Sequence, residues 1–158
     1  MKNELKQQFA LRITQANKTE LVVILYEMFL TYIRDAKADL KEQDTKTFRL
    51  NIQRARGCLK ELMGSLNYDY EPAPSLLKLY IYVSKLLVTA DLHSEEKALD
   101  EAEKIMEKLH DAYETISKED HSSPVMGNTQ TLYAGLTYSK NDLTVNLDEG
   151  RGSRGFFA

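Results

Sequence analysis

The sequence is poor in the residues that carry covalent, redox and metal chemistry. Its 158 residues include one cysteine and three histidines. Cys58 has no second cysteine with which to form an internal disulfide, which is typical of proteins in a reducing compartment. The cysteine and histidine spacing of a zinc site is also missing. We therefore expect neither a disulfide framework nor a metal site.

Prolines and glycines, which interrupt helices, are few and unevenly placed. There are three prolines and seven glycines, and five of the glycines lie after residue 124. Two of the prolines fall in residues 68–74, the clearest break in the first part of the chain. This distribution predicts long helices up to about residue 117 and a flexible or partly docked tail over residues 118–158.

Long apolar runs are missing too, and neither sign of charge is in large excess. In the most apolar stretch, residues 21–33, only Glu27 and Thr31 are clearly polar. A helix that spans a bilayer needs about 20 apolar residues, so we expect no membrane insertion. Because no signal peptide or lipidation motif is present, we expect a cytoplasmic protein. The net charge of −3 gives no general attraction for nucleic acid.

The same apolar stretch is the centre of the first long helix, which we predict over residues 18–42. Asn17 and Glu20 have the spacing of a capping box, in which the N-cap and the third helical residue bond each other's backbone. The apolar residues exceed one helical stripe, so this helix is either buried on several sides or binds something on its spare face. Once one stripe is assigned to the core, the apolar residues left over are Val23, Tyr26 and Leu30.

Three further amphipathic patterns predict a second helix over about residues 48–66, a third that begins at Ser75 and a fourth that is capped by Ser94. Their short connections predict an all-α fold, a monomeric antiparallel four-helix bundle over residues 1–117 that includes a leader, residues 1–16. The predicted core contains Leu21, Leu25, Met28, Ile52, Leu59, Leu62, Val83, Leu87, Ile105 and Leu109. The third helix also exceeds one stripe, and its residues left over are Leu77, Ile81 and Val88.

Helical bundles also hold di-iron centres and phosphotransfer histidines, and the sequence fits neither. A di-iron bundle needs two Glu-x-x-His motifs, whereas this chain has one, Glu107 to His110, and its glutamate is predicted to face solvent. The residues after His110 do not match a phosphotransfer motif. No glycine-rich phosphate loop or Ser/His/Asp set is present. We therefore expect a helical binding module without catalytic residues, cofactors or metal ions, rather than an enzyme.

Three segments resemble the FliS family of flagellar export chaperones. Residues 16–27 resemble the start of the family's first long helix, residues 52–62 its second helix and residues 79–82 its third. The resemblance covers about residues 13–116. The sequence departs from the family pattern at Lys18, where proline is usual, and at Met28, where a small residue is usual.

The resemblance implies a function that the composition alone does not name. Members of this family bind the disordered C-terminal segment of flagellin, prevent its premature polymerisation in the cytoplasm and escort it to the flagellar export gate. An apolar groove is the surface that such a client needs. We expect this groove to use the residues left over on the first and third helices: Val23, Tyr26, Leu30, Leu77, Ile81 and Val88. The alternative is a bundle of the same architecture that serves as a regulatory adaptor or an interaction module for another client.

The leader carries a thin apolar stripe of its own, formed by Leu5, Phe9 and Ile13 at helical spacing. An open apolar groove is rare on a monomer. We therefore expect the leader, or else the tail, to occupy the groove when no client is bound. The leader is the stronger candidate, because its spacing suits a helical groove and the FliS family has such a leader.

Overall fold

The computed structural model describes residues 1–126. The tail residues 127–158, part of the alternative occupant of the groove, lie outside the described part. Five helices follow one another: α1 (Asn3–Gln15), α2 (Lys18–Lys41), α3 (Thr45–Gly64), α4 (Ala73–His93) and α5 (Glu96–Glu119). No strand occurs within residues 1–126. The predicted all-α class is confirmed, and the leader forms a helix in addition to the four expected.

Helices α2 to α5 form the predicted antiparallel bundle. Each helix packs against its two neighbours in the order α2, α3, α4, α5 and back to α2. Ion pairs show the antiparallel course of α2 and α5, because Arg34 pairs with Glu103 and Glu107 while Lys37 pairs with Asp100. Of the described helices, none is long and apolar enough to cross a membrane.

Two of the helix starts follow local signals that the sequence contains. At α2 the Asn17 side chain accepts a hydrogen bond from the Glu20 N–H, and the Glu20 carboxylate accepts one from the Asn17 N–H, so the predicted capping box is confirmed. The tight turn after α2 places Gln43 in the left-handed region, with φ of 59°. Asp44 then caps α3 by accepting a hydrogen bond from the Thr47 N–H.

The starts predicted for the last two helices are wrong by small amounts. The helix expected to begin at Ser75 begins at Ala73, because Pro72 and Pro74 are tolerated at a helix start, where the N–H groups have no intrahelical partner. Ser94 is the left-handed C-cap of α4, with φ of 50°, rather than the N-cap of α5. Only two residues separate these helices, so the chain must reverse within them, and a left-handed residue accomplishes the reversal.

The main core lies between the four bundle helices. Its largest fully buried side chains come from all four: Tyr26, Phe29, Ile33, Phe48, Ile52, Leu59, Leu62, Tyr80, Val83, Leu87, Leu99 and Met106. Of the ten core residues predicted from the sequence, Ile52, Leu59, Leu62, Val83 and Leu87 are fully buried. The other five are half-buried and none is exposed.

Helix α5 shows why some predicted core residues remain half-buried. Its buried residues are Ala98, Leu99, Ala102 and Met106, so the stripe is rotated toward Leu99 relative to the one we expected. Ile105 and Leu109 consequently lie at the edge of the core. Ile116, near the end of α5, is exposed.

Candidate functional site

The leader helix α1 covers the face of α2 that points away from the main core. Phe9, Ala16 and Ile24 are buried together in a second apolar cluster. The half-buried residues that surround this cluster are Met1, Leu5, Ile13, Leu21 and Met28. The structure therefore places Leu5, Phe9 and Ile13 of the leader on α2, where they cover an apolar surface that would otherwise be open.

Charged groups fix α1 to α2 at two points along its length. The Met1 amine forms an ion pair with Asp35, and the Arg12 guanidinium forms one with Glu27. Arg12 also lies over the Phe9 ring, 5.6 Å from its centroid. The start of the leader thus contacts the later part of α2, at Asp35, and the end of the leader contacts the earlier part, at Glu27. The leader therefore folds back antiparallel on α2.

Glu27 connects three helices at the centre of this arrangement. Its Oε2 accepts a hydrogen bond from Arg12 of α1, and its Oε1 lies 3.3 Å from Nε2 of His110 on α5. Burial alone would raise the pKa of Glu27, but the hydrogen bonds from Arg12 and His110 outweigh burial and lower it. Glu27 is therefore ionised at neutral pH, as both contacts require.

Glu107 and His110, which form the single Glu-x-x-His motif, do not point together into the bundle as metal ligands would. Glu107 is exposed and pairs with Arg34 at 3.0 Å. His110 does lie near Asp111 and Glu114, with ligand atoms within 4.8 Å of one another. Since His110 is already paired with Glu27 and both carboxylates face solvent, this arrangement gives no reason to assign an ion.

A second apolar surface lies along α4 and is open. Ile81 and Val88 are 42% and 38% exposed, and Leu77 is half-buried. These three residues predicted for client binding lie within about 40° of one another around the helix. Leu92, at 72% exposed, continues the same stripe toward the end of α4.

This face of α4 borders a shallow groove between α3 and α4. The groove has a volume of about 430 Å³ and is lined by Gln53, Arg56, Gly57, Leu59, Lys60, Met63 and Ser84. Gly57 faces open space, because a Cβ built there would meet no atom within 4 Å. Ser84 follows Leu77 by seven residues and so shares its face of the helix. The open stripe therefore lies on the face of α4 from which Ser84 reaches the groove.

The other three residues predicted for the groove are in the interior. Val23, Tyr26 and Leu30 are 5%, 0% and 4% exposed, so they contribute very little to the surface. Of the three, Val23 lines a pocket, which lies between α1, α2 and α5. The physical reason for their burial is the position of α2, which packs against α3, α5 and α1. A second apolar face on such a helix meets a second neighbour rather than a client.

Sequence reasoning missed the residues of α2 that face the leader. Leu21 was expected in the main core and Ile24 was not assigned, whereas both pack in the leader cluster. Met28, also expected in the main core, contacts both the main core and the leader cluster. The face of these three residues lies roughly opposite that of Tyr26, Phe29 and Ile33, at 100° of rotation per residue. The leader's own apolar stripe was the signal for this surface, since an amphipathic helix needs an apolar face to pack against.

The chain is similar to flagellar proteins over the part that contains these surfaces. A family model described as Flagellar protein FliS matches residues 1–120. The flagellar secretion chaperone FliS of Bacillus subtilis (strain 168) is 28% identical to this chain over 101 residues, which cover 64% of this chain and 76% of that protein. The family match spans all five helices. The chain therefore belongs to the FliS family of flagellar proteins.

Proposed function

We propose that this chain is a cytoplasmic export chaperone that binds the disordered C-terminal segment of flagellin. As a monomer, it prevents premature polymerisation of flagellin and escorts it to the flagellar export gate. The observation that carries the proposal is the open apolar stripe of α4 beside the α3–α4 groove, found on a chain of the FliS family. The name of the Bacillus subtilis relative, a flagellar secretion chaperone, supports the same role.

The shape and chemistry of the α4 surface suit a segment that folds when it binds. An amphipathic helix laid into a groove contacts it through residues at helical spacing, and Leu77, Ile81 and Val88 offer the matching stripe. Ordering a disordered segment costs about 2–5 kcal/mol or more, so the complementary surface has to be extensive and apolar. The polar heads of Gln53, Arg56 and Lys60 along the groove give such a segment a polar border.

The leader-covered face of α2 is the second part of the proposed client site. We expect the client to displace α1 and to occupy the surface formed by Leu21, Ile24 and Met28. Because the leader is tethered to α2 by a two-residue connection, even a weak contact keeps it docked in the absence of client. It thereby covers an apolar patch that would otherwise promote aggregation.

The proposal is tested by measuring whether the purified chain suppresses the seeded polymerisation of flagellin from the same organism, followed by light scattering. The wild-type chain should suppress polymerisation at equimolar concentration. The Ile81→Asp/Val88→Asp variant should lose most of this suppression, because charge on the open stripe opposes burial of an apolar client.

The control for this experiment is Lys78→Glu, which changes an exposed side chain on the same helix away from the stripe. It should suppress polymerisation like the wild-type chain. All three proteins should unfold cooperatively with similar midpoints, since the substituted positions are outside the core. Equal suppression by the wild-type chain and the double variant would exclude the α4 stripe, and no suppression by the wild-type chain would contradict the function itself.

A further inference from the structure

The segment that follows α5, residues 120–125, folds back across the connection between the leader and α2. That connection consists of Ala16 and Asn17, both extended and both buried, and we call it the elbow. The Asn17 side-chain amide donates to the Asp120 carbonyl at 3.0 Å and to the Ser122 carbonyl at 3.5 Å. The Val125 N–H donates to the Ala16 carbonyl at 3.0 Å. The elbow is therefore hydrogen-bonded to a part of the chain more than 100 residues away.

The contact satisfies the hydrogen-bonding groups of a buried side chain, Asn17. Its side-chain oxygen and its backbone N–H are both used by the capping box with Glu20. Its side-chain amide group is left for the segment after α5, and Asn17 is only 3% exposed. A buried amide without a partner is destabilising. The segment after α5 thus completes the hydrogen bonding of the residue at which the leader turns onto α2.

Asp120 adds a side-chain contact next to the elbow. Its Oδ2 accepts a hydrogen bond from the Thr19 hydroxyl at 2.5 Å, and its Oδ1 accepts one from the Ser122 N–H at 3.0 Å. Hydrogen bonds from Ser122 and Thr19 lower the pKa of Asp120 to about 2. Asp120 is therefore ionised throughout the neutral range and holds the segment in a turn against the start of α2.

We propose that residues 120–125 form a clasp that holds the leader helix on α2 by fixing the elbow. The leader swings away from α2 only by changing the backbone angles at Ala16 and Asn17. These are the residues that the clasp bonds, so the clasp must open before the leader is released. The contact couples the end of α5 to the occupancy of the leader-covered face of α2.

Hydrogen exchange of the full-length chain, measured by mass spectrometry without any client, tests the clasp. Val125→Pro removes the N–H that donates to Ala16, whereas Val125→Ala keeps it and is the matched control. We expect Val125→Pro to speed exchange in residues 3–15 by about fivefold, the size of effect that follows from the loss of one hydrogen bond. Val125→Ala should exchange like the wild-type chain, and α3 and α4 should be unchanged in both variants.

Thr19→Val and Asp120→Ala test the same clasp through its side-chain contact. Each should speed exchange of the leader, and Asp120→Ala should have the larger effect, because it also removes the hydrogen bond from the Ser122 N–H. The double variant should add little to Asp120→Ala, because the bond that Thr19→Val removes is already lost in it. Wild-type exchange of the leader in Val125→Pro and Thr19→Val would overturn the proposal. Equal acceleration in all five helices, or equal effects of Val125→Pro and Val125→Ala, would also overturn it, because the clasp acts locally and through the backbone.

One consequence rests on the proposed function and is measured separately. If the leader competes with a flagellin segment, Val125→Pro should bind that segment about fivefold more tightly than Val125→Ala, since a looser leader competes less. Faster leader exchange without tighter binding would support the clasp and contradict the competition. No binding by either variant would contradict the proposed function and leave the exchange result to decide on the clasp.

Discussion

At the scale of single residues, the most unusual feature of the interior is a pair of hydroxyl groups. Tyr26 of α2 and Tyr80 of α4 are 0% and 1% exposed, and their hydroxyls hydrogen-bond each other. The ring of Tyr113 packs 5.6 Å from that of Tyr26. Burial raises the pKa of Tyr80 to about 12, so the pair is neutral at physiological pH. The two hydroxyls satisfy each other and link diagonally opposite helices of the bundle.

This pair leads to a prediction about stability. Tyr26→Phe and Tyr80→Phe should each lower the free energy of unfolding by about 1–3 kcal/mol, because each leaves the other hydroxyl buried without its partner. The double variant should lose clearly less than the sum of the two, since it leaves no unpaired hydroxyl. Urea unfolding followed by circular dichroism measures all three values.

Tyr68→Phe is the control for these substitutions, because Tyr68 is 61% exposed and lies outside the core. It should change the free energy of unfolding by no more than about 0.5 kcal/mol. Strict additivity of Tyr26→Phe and Tyr80→Phe would contradict the account, since it would mean that the two hydroxyls do not depend on each other.

At the scale of helices, the leader acts as a tethered part of the fold. Its apolar contact with α2 rests on a single fully packed ring, Phe9, supported by half-buried Leu5 and Ile13 and by the Arg12 to Glu27 ion pair. A partly exposed ion pair of this kind adds only a modest amount to stability. Of the five described helices, the leader therefore has the least extensive packing against the others. Displacement by a client requires a helix of this kind.

Deletion of residues 1–15 should tighten the binding of a flagellin C-terminal peptide by about tenfold, because it removes a competitor that reduces the fraction of binding-competent chains. Deletion of residues 127–158 keeps both the leader and the clasp and serves as the matched control. Binding of a labelled peptide, followed by fluorescence anisotropy, measures both affinities. An unchanged or weaker affinity after deletion of residues 1–15 would show that the leader does not compete with the client.

Helix α2 also shows how far sequence reasoning reaches. Its capping signal at Asn17 and Glu20 is local, so its start followed from the sequence alone. The partner of each face did not follow. A helix that is apolar on two sides has a periodicity that identifies its two faces but not the helix that packs on each face. Leu21 was consequently predicted in the main core but lies in the leader cluster, and Tyr26 was predicted in the groove but lies in the main core. The stripes of α3, which has one apolar face, were assigned correctly at Ile52, Leu59 and Leu62.

The clasp shows a second limit. The hydrogen bonds that join Asn17 to residues 120–122 bridge more than 100 positions of the chain. Asn17 carries a strong local signal as an N-cap, and that signal fully accounts for its presence in the sequence. The hydrogen bonds from the same side chain to a distant segment add no further pattern to the sequence, so only the structure reveals them.

At the scale of the whole molecule, the two proposed client surfaces lie on diagonally opposite helices. Helices α2 and α4 are separated by α3 on one side and α5 on the other. Axes of neighbouring packed helices are about 8–10 Å apart, so a client that contacts both surfaces has to pass around the bundle. A single short helix is too small for this, whereas a long disordered segment is able to wrap both faces as it folds.

The central claim is that this chain binds the C-terminal segment of flagellin, and calorimetric titration of the full-length chain with that peptide tests it most directly. The account predicts saturable binding with a negative heat-capacity change, because apolar surface is buried on both partners. A peptide from the N-terminal segment of the same flagellin, titrated under identical conditions, should bind much more weakly. The claim would be contradicted if neither calorimetry nor binding of a labelled peptide detected an interaction with the C-terminal peptide. Equal affinity for the two peptides would also contradict it.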